Sequence, residues 1–503
     1  MTSSRIFSLL ALTCSVVSSL PAQTVDVSRV HTYADTHRRE IVGEYLKLLS
    51  LPNIHGDAKA LQANADLLAA MMKKRGLDTA IWPTSSGVPM VFGEKTTPGA
   101  KRTILFYIHY DGQPVDAKRW AQPDPFVPVV RTDSIEAGGT VVTDLSSATF
   151  PDAWRIYARA AGDDKAPIEA FLCALDAIGS SQRENVKLFL DGEEEGGGKG
   201  LAEVIQKYPE KLRSDLLVIL DGPQHPSGPT IYYGARGGAS VNVTVYTAKQ
   251  GMHSGNYGNW MPDANVRLAQ LISSMVDSTG KVVIPGFYSD VLPFATEAKA
   301  MMDAVPDQSA QMQRDFGVGS LDGAAHSLQE GLNLPAFSVH TMKGGEVGGV
   351  IAASATAEIA MRLVKENHPQ VMAERVIDFI RAQGYYIVDK DPDVATLASH
   401  AKVAKVTSRA LTATSGGAWR TDPNDPQAVF ATNALKAVWG DKVVRIRTLG
   451  GSVPASPFID AFHVPTVGVS IANYDDNQHT DNENIRLGNL FDGVTTLASM
   501  MLQ

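Results

Sequence analysis

Cysteine is scarce in this chain of 503 residues: there are two, Cys14 and Cys173. Cys14 lies in an N-terminal segment that reads as removable, which leaves Cys173 alone and excludes an internal disulfide. In Phe171-Leu-Cys-Ala-Leu175 it reads as a small core residue. Positive charge is also in deficit. A net charge of -9 and the lack of any long basic run argue against nucleic acid or an anionic membrane surface as the main partner. No repeat with a period of about 20–50 residues is present, which excludes a solenoid or propeller. The apolar run at residues 6–17 is shorter than a membrane span needs.

What is present describes a globular protein, with 44% hydrophobic and 20% charged residues in a chain too long for one ordinary core. Two domains are the prior expectation. Arg5, the apolar run and the small residues near Ala22 have the order of an export signal over residues 1–23, which places the mature protein in the periplasm or outside the cell. A buried first helix fits less well, because the run lacks a 3.6-residue period and ends at Pro21. Thr13 before Cys14 weakens a lipoprotein reading.

Residues 35–76 place Ile41, Tyr45, Leu46 and Leu49, then Leu61, Leu67, Leu68, Met71 and Met72, at helical spacing, with Gly76 as a C-cap. Residues 103–108 form a continuous apolar strand that delivers His109 and Asp111. A loop rich in Pro, Asp and Gly follows to residue 151, then a helix to about Ile178. Two more apolar strands, 186–190 and 216–220, end in acid. Apolar strands alternating with helices predict a parallel sheet covered on both faces, with ligands at its C-terminal strand ends. From residue 235 Val241, Val243 and Val245 alternate with polar residues, and half-exposed strands near 336–341, 355–364 and 385–388 accompany two helices. This predicts a smaller α+β domain, residues 235–390, inserted into an α/β domain made of residues 24–234 and 391–503. The α/β texture returns in a helix at 428–438 and a strand at 467–471.

The stretch Val186-Lys-Leu-Phe-Leu-Asp-Gly-Glu-Glu-Glu-Gly-Gly-Gly-Lys-Gly200 organises the rest. It runs an apolar strand into three consecutive carboxylates and a group of glycines. Adjacent glutamates there can divide labour, one gripping a metal and another moving a proton. Alone it would read as a solvated acidic loop, but it keeps company. His109, Asp163, Glu195, Asp221 and His479 all fall at or near the ends of elements. Two imidazoles and three carboxylates suit two divalent ions that share one carboxylate, most simply zinc, with cobalt or manganese accepting the same donors. Asp111, two residues beyond His109, is placed to fix that ring's tautomer. Singly, Asp163 and Asp164 read equally well as caps of the next helix and Asp221-Gly-Pro as a turn; the signal is their conjunction. Gly196-Gly-Gly-Lys199 is not a phosphate loop, because it lacks the spacing and the Ser or Thr after the lysine.

Several segments together carry a family resemblance: Ile108-His-Tyr-Asp-Gly-Gln-Pro-Val-Asp116, Ala160-Ala-Gly-Asp-Asp-Lys165, Asp191-Gly-Glu-Glu-Glu-Gly-Gly-Gly-Lys-Gly200, Leu220-Asp221, Gly234-Ala-Arg-Gly237, Met252-His-Ser-Gly255, Arg362-Leu-Val364, Gly450-Gly-Ser-Val-Pro454 and His479. In this order the chain resembles the di-zinc metallopeptidases that include carnosine dipeptidases, glutamate carboxypeptidases, aminoacylases and succinyl-diaminopimelate desuccinylase. Trp120 and Asp124-Pro-Phe126 are similar to the dipeptidase branch. The resemblance implies a mixed, mostly parallel sheet flanked by helices and an inserted ferredoxin-like lid that joins two chains in a homodimer. It implies that His109 and Asp221 bind one metal, Glu195 and His479 the other, and that Asp163 bridges them. Glu194 would be the general base, with Asp111 in support. His253, from a partner subunit, would bind substrate and stabilise the oxyanion. Arg362 would hold the substrate's terminal carboxylate, with Ser452 nearby. Three features depart from the pattern: Ala166 replaces a usual glycine, Gly349-Val-Ile-Ala352 replaces Thr-Val-Ile-Pro, and the loop at residues 132–152 exceeds the usual spacing, which would reshape the entrance to the site.

The implied activity is metal-dependent hydrolysis of dipeptides or of C-terminal residues. An amidohydrolase that removes an acyl group from an amino acid would share the whole metal site. A non-catalytic secreted binding protein on the same scaffold is the reading from another class; it would need neither Glu194 nor His253. The N-terminal segment makes the first prediction: secreted protein begins near Gln23 or Thr24 on N-terminal sequencing. A cytoplasmic product that retains Met1 would refute export.

Overall fold

A computed structural model describes residues 28–345, 348–410 and 417–503. The segment expected to direct export, and Cys14 within it, lie outside the described residues. Cys173 is a buried free thiol, as its apolar neighbours predict.

The expected helical stretch at 35–76 forms as Arg38–Leu49 and Ala58–Lys74 after a first helix, Ser28–Thr36. Its apolar positions pack on one face of an eight-stranded sheet. The strand order is Asp78–Trp82, Met90–Lys95, Asn185–Asp191, Thr103–His109, Leu216–Ile219, Thr466–Ser470, Thr230–Tyr232 and Val444–Ile446. The four central strands run parallel, and antiparallel pairings occur toward the margins. Each central strand is buried almost throughout because both faces are covered, as continuous apolar runs require. Successive side chains then serve different cores. Ile104, Phe106 and Ile108 join the core beneath the helices Arg38–Leu49, Lys165–Ile178 and Leu487–Met501, whereas Leu105 and Tyr107 join the opposite core with Val204 and Phe458. The α/β expectation is borne out.

The register sets up the site. His109 pairs with Asp191, so the end of one strand stands level with the start of the Glu193-Glu194-Glu195 turn. Gly468 leaves room for the Tyr232 ring, which lies 1.7 Å from where a Cβ would stand. That ring's hydroxyl donates to the Asp221 carbonyl at 2.8 Å and fixes the end of a third strand.

The smaller layer has five strands, ordered Ala336–Gly344, Ser354–Leu363, Gly237–Tyr246, Val403–Ala410 and Tyr386–Val388. Helices Ala264–Ser273 and Pro369–Ala382 cover one face, with Leu268, Leu271, Met372, Val376 and Ile380 packed on Val241, Val243 and Val245. The expected boundary at 390 falls short. Val403–Ala410 pairs along Gly237–Tyr246, and among residues 403–409 only Val403 and Ala404 are buried, too few for its membership to be read from alternation. The loop at 132–152 also departs from expectation. Arg39 donates to the carbonyls of Leu145 and Ala148 at 2.9 and 3.1 Å, and Arg38 to that of Phe150 at 2.9 Å, so the loop is tied to the N-terminal helices and lines no part of the metal cleft. No described helix is long and apolar enough to cross a membrane.

Candidate metal centre

His109, Asp163 and Asp221 offer ligand atoms within 4.8 Å of one another, and so do Asp163, Glu195 and His479. Asp163 belongs to both groups. The His109 Nε2 lies 2.8 Å from Asp163 Oδ1, and His479 Nε2 lies 3.1 Å from Asp163 Oδ2 and 3.2 Å from Glu195 Oε2. Each group therefore supplies one imidazole nitrogen and two carboxylates, a donor set that fits a borderline divalent ion. The helix Lys165–Ile178 has Asp164 at its N-cap position without a side-chain cap bond, so the capping alternative for the Asp-Asp pair does not hold.

The backbone around these ligands is held by other acids. Glu483 accepts from the backbone N–H of Ala160, Gly162 and Asp163 at 2.9–3.0 Å and from Arg159 at 2.7 Å, which fixes the loop that presents the shared aspartate. Asp111 accepts from the backbone N–H of Glu194 and Glu195 at 3.2 and 3.1 Å. The His109 Nδ1 lies 3.1 Å from the Asp111 carbonyl oxygen and 3.4 Å from its carboxylate, so Asp111 stands beside the ring it was expected to orient. Glu193, the first of the triplet, turns away and accepts from the Gly200 N–H at 3.0 Å at the start of helix Gly200–Lys207. A Cβ on Gly198 or Gly200 would lie 2.5 or 2.2 Å from the Glu193 side chain, so the glycines make room for that contact.

Gln113 donates to Glu195 Oε2 at 2.8 Å and Gln478 to Asp163 Oδ2 at 3.3 Å. Neither glutamine, nor Glu483, was singled out from the sequence. Each does stand in a segment that carried other site residues: Gln113 and Glu483 lie four positions beyond His109 and His479, and Gln478 is directly beside His479. His479 itself sits on a turn with Asn477 and Asn482 in which all three have φ near +60°, a region that Asn and His enter more readily than most residues.

The electrostatics fit a site built for cations. Burial raises the Asp221 carboxyl to about 7, with Asp163 adding to the effect. Burial also holds the Glu194 carboxyl well above its ordinary value; His109 opposes this, while Asp221, Glu195 and Asp111 reinforce it. Burial works against a charged His109, yet its bonds to Asp111 and Asp163 prevail and raise it. The His479 imidazole is pushed up to about 11, first by Asp163 and then by Glu195. The imidazoles thus supply part of the positive charge that the carboxylates call for.

A cleft of about 640 Å³ opens on this cluster and is bordered also by Arg362, Ser452 and Leu449. Arg362 reaches in from strand Ser354–Leu363 and donates to the Ser452 hydroxyl at 2.9 Å, so the expected pair is formed between the two layers. Met312, Leu328, Gln329 and Leu332 add a wall from the inserted domain. His253 is not brought to the cleft within one chain. It is exposed on Met252–His253, paired with Val350–Ile351, and its Nδ1 accepts from the Gly255 N–H at 3.1 Å. Gly349 beside it has φ +73°, which a β-branched threonine would resist, so the departure from Thr-Val-Ile-Pro goes with a different turn.

Sheet, cleft and a pair of acid–imidazole clusters joined by one aspartate define a metallopeptidase. The model of Peptidase family M20/M25/M40 matches residues 105–503, and the chain belongs to that family. It is 26% identical over 428 residues to the Beta-Ala-His dipeptidase of Homo sapiens, covering 82% of this chain and 77% of the relative. It is 23% identical over 501 residues to the Cys-Gly metallodipeptidase dug1 of Schizosaccharomyces pombe, covering 93% and 96%. Among solved structures it resembles the M20 family metallo-carboxypeptidase Sso-CP2 from Sulfolobus solfataricus, with a TM-score of 0.73 at 24% identity over 92% of this chain and 98% of that one.

The shared aspartate makes a direct prediction. Asp163→Ala should lose both divalent ions on elemental analysis, whereas Glu194→Gln should keep them and lose about 10²–10⁴-fold in turnover. Glu195→Ala should weaken metal binding. Exchange of the two glutamate phenotypes would shift the assignment by one residue.

Proposed function

We propose that this chain is an exported di-zinc peptidase that cleaves dipeptides or removes C-terminal residues, with Glu194 as general base. What carries the reading is that one cleft of about 640 Å³ joins both ligand clusters to a guanidinium. That size suits a small peptide. The names of the dipeptidase relatives add support for a dipeptide substrate.

His109, Asp163 and Asp221 would hold one divalent ion and Asp163, Glu195 and His479 the other; zinc, cobalt or manganese bound there would supply Lewis acidity toward a carbonyl and toward water near neutral pH. Glu194 takes the proton from the attacking water and passes it to the leaving amine. Asp111 keeps the His109 ring turned so that Nε2 faces Asp163. Arg362 binds the terminal carboxylate of the substrate, and Ser452 holds that guanidinium in place. His253 of a second copy, delivered through a homodimer of inserted domains, donates to the oxyanion.

Substrate class is tested with a panel of dipeptides and N-acyl amino acids assayed with zinc, cobalt and manganese in turn. Free dipeptides should exceed N-acyl amino acids in kcat/KM by about 10²-fold or more, and amidation of the C-terminus should cost a similar factor. The reverse order would make the protein a deacylase. For the shared site, His253→Ala should lower kcat by about 10²–10³-fold with KM nearly unchanged. Mixing His253→Ala with Glu194→Gln subunits should restore activity, because one site of each hybrid is then complete. Hybrids that form and stay inactive would rule out donation by a partner.

A further inference from the structure

A second cavity, of about 940 Å³, is larger than the metal cleft and lies where the inserted domain meets the large sheet. Helix Thr296–Asp303 and the turn at Lys365 form one wall. The edge strand Val444–Ile446, the end of helix Pro426–Trp439 and the turn at Thr421 form the other.

Six cations line it: Lys365, Arg420, Lys436, Lys442, Arg445 and Arg447. Their compensation is incomplete. Arg420 and Arg447 share the one carboxylate of Glu366, at 3.4 Å in the case of Arg447. Arg445 spends its Nε on the Tyr233 hydroxyl at 3.0 Å. Lys365, Lys436 and Lys442 form no ion pair among the described residues, and the Arg420 Nε is buried without a partner. Three exposed acids, Glu297, Asp422 and Asp441, border the cavity but pair with none of these cations. Burial, then the neighbouring Arg420, press the Arg447 guanidinium below its ordinary value.

Such a concentration of positive charge is out of keeping with a chain of net charge -9. Positive groups gathered between low-dielectric walls focus a field that attracts anions. Arg445 and Arg447 are two residues apart along an extended segment, so both face the same side, while Ile446 between them lines the metal cleft. The two cavities therefore share a wall one strand thick.

We propose that this junction cavity binds a small polyanion, one carrying two or more carboxylates or phosphates that span from Arg445 and Arg447 to Lys365. The two sources of charge are distinguished by two probes that do not chelate a single metal ion, benzene-1,3,5-tricarboxylate and glucose 1,6-bisphosphate. Each is titrated calorimetrically into metal-loaded enzyme at low ionic strength, with the metal content measured before and after. At least one probe should bind one site per chain with a dissociation constant below about 1 mM, and binding should weaken as salt rises. The tighter probe identifies the carboxylate or phosphate class. The pair Lys436→Glu and Lys442→Glu should weaken binding by about tenfold or more, and so should Arg445→Gln, which keeps the test available if the charge-reversed protein misfolds. Arg362→Ala, in the metal cleft, should leave binding unchanged. No binding by either probe would overturn the proposal, as would binding that survives the lysine pair and Arg445→Gln but is lost with Arg362→Ala.

Discussion

Repulsion among carboxylates at the C-terminal edge of the large sheet is the constraint on which the site depends. Asp111, Asp163, Asp221, Glu194 and Glu195 converge where burial already penalises charge, and the raised Asp221 and Glu194 carboxyls register that penalty. Asp163 moves the other way, held down against its own burial by His109 and His479. Two imidazoles cannot neutralise five acids, so the cluster is stable in its ionised form only with further positive charge between its members. Metal affinity and local folding are coupled for this reason: the ligands gain a reason to stay together when cations are bound.

Anions that hold backbone are as important here as anions that hold metal. Glu483 gathers the amide groups of Ala160, Gly162 and Asp163 and a buried arginine so that Asp163 is presented at one position. Asp111 ties the glutamate turn to the neighbouring strand end, and Glu193 starts the following helix. Three adjacent glutamates thus have three placements: Glu193 accepts from the first amide of a helix, Glu194 borders the cleft, and Glu195 belongs to a ligand cluster. Their identical chemistry is separated entirely by where a strand ends and how the glycines turn.

Much of this was legible in the sequence. The central strands are apolar on both faces, so their composition alone announced a covered sheet, and the acids at their ends stood out by contrast. His109, Asp163, Glu195, Asp221 and His479 are brought together as their positions at element ends implied. Strand Val403–Ala410 was not legible, because its membership depends on pairing with Gly237–Tyr246 rather than on its own few apolar residues. Glu483 was not legible either: a carboxylate that binds amides leaves no motif, since its partners are backbone. Met312, Leu328 and Gln329 reach the cleft by tertiary placement alone. His253 stands apart for a different reason, that within one chain its ring is engaged by the Gly255 N–H on an exposed strand end away from the cleft.

The connection between the two layers has a mechanical consequence. The chain enters the inserted domain through Gly234–Ala235 and comes back at Trp419–Arg420, and these two segments are paired antiparallel, Ala235 with Trp419 and Gly234 with Arg420. Both crossings therefore form one narrow ribbon rather than two independent tethers. Hydrogen bonds across a ribbon resist sliding of one crossing past the other, while bending normal to its plane is comparatively soft. Any rotation of the inserted domain must flex this strap, and Arg362 travels with that domain while the metal ligands stay with the sheet. Along the chain, Arg362 and the ligand clusters are thus connected through this one ribbon.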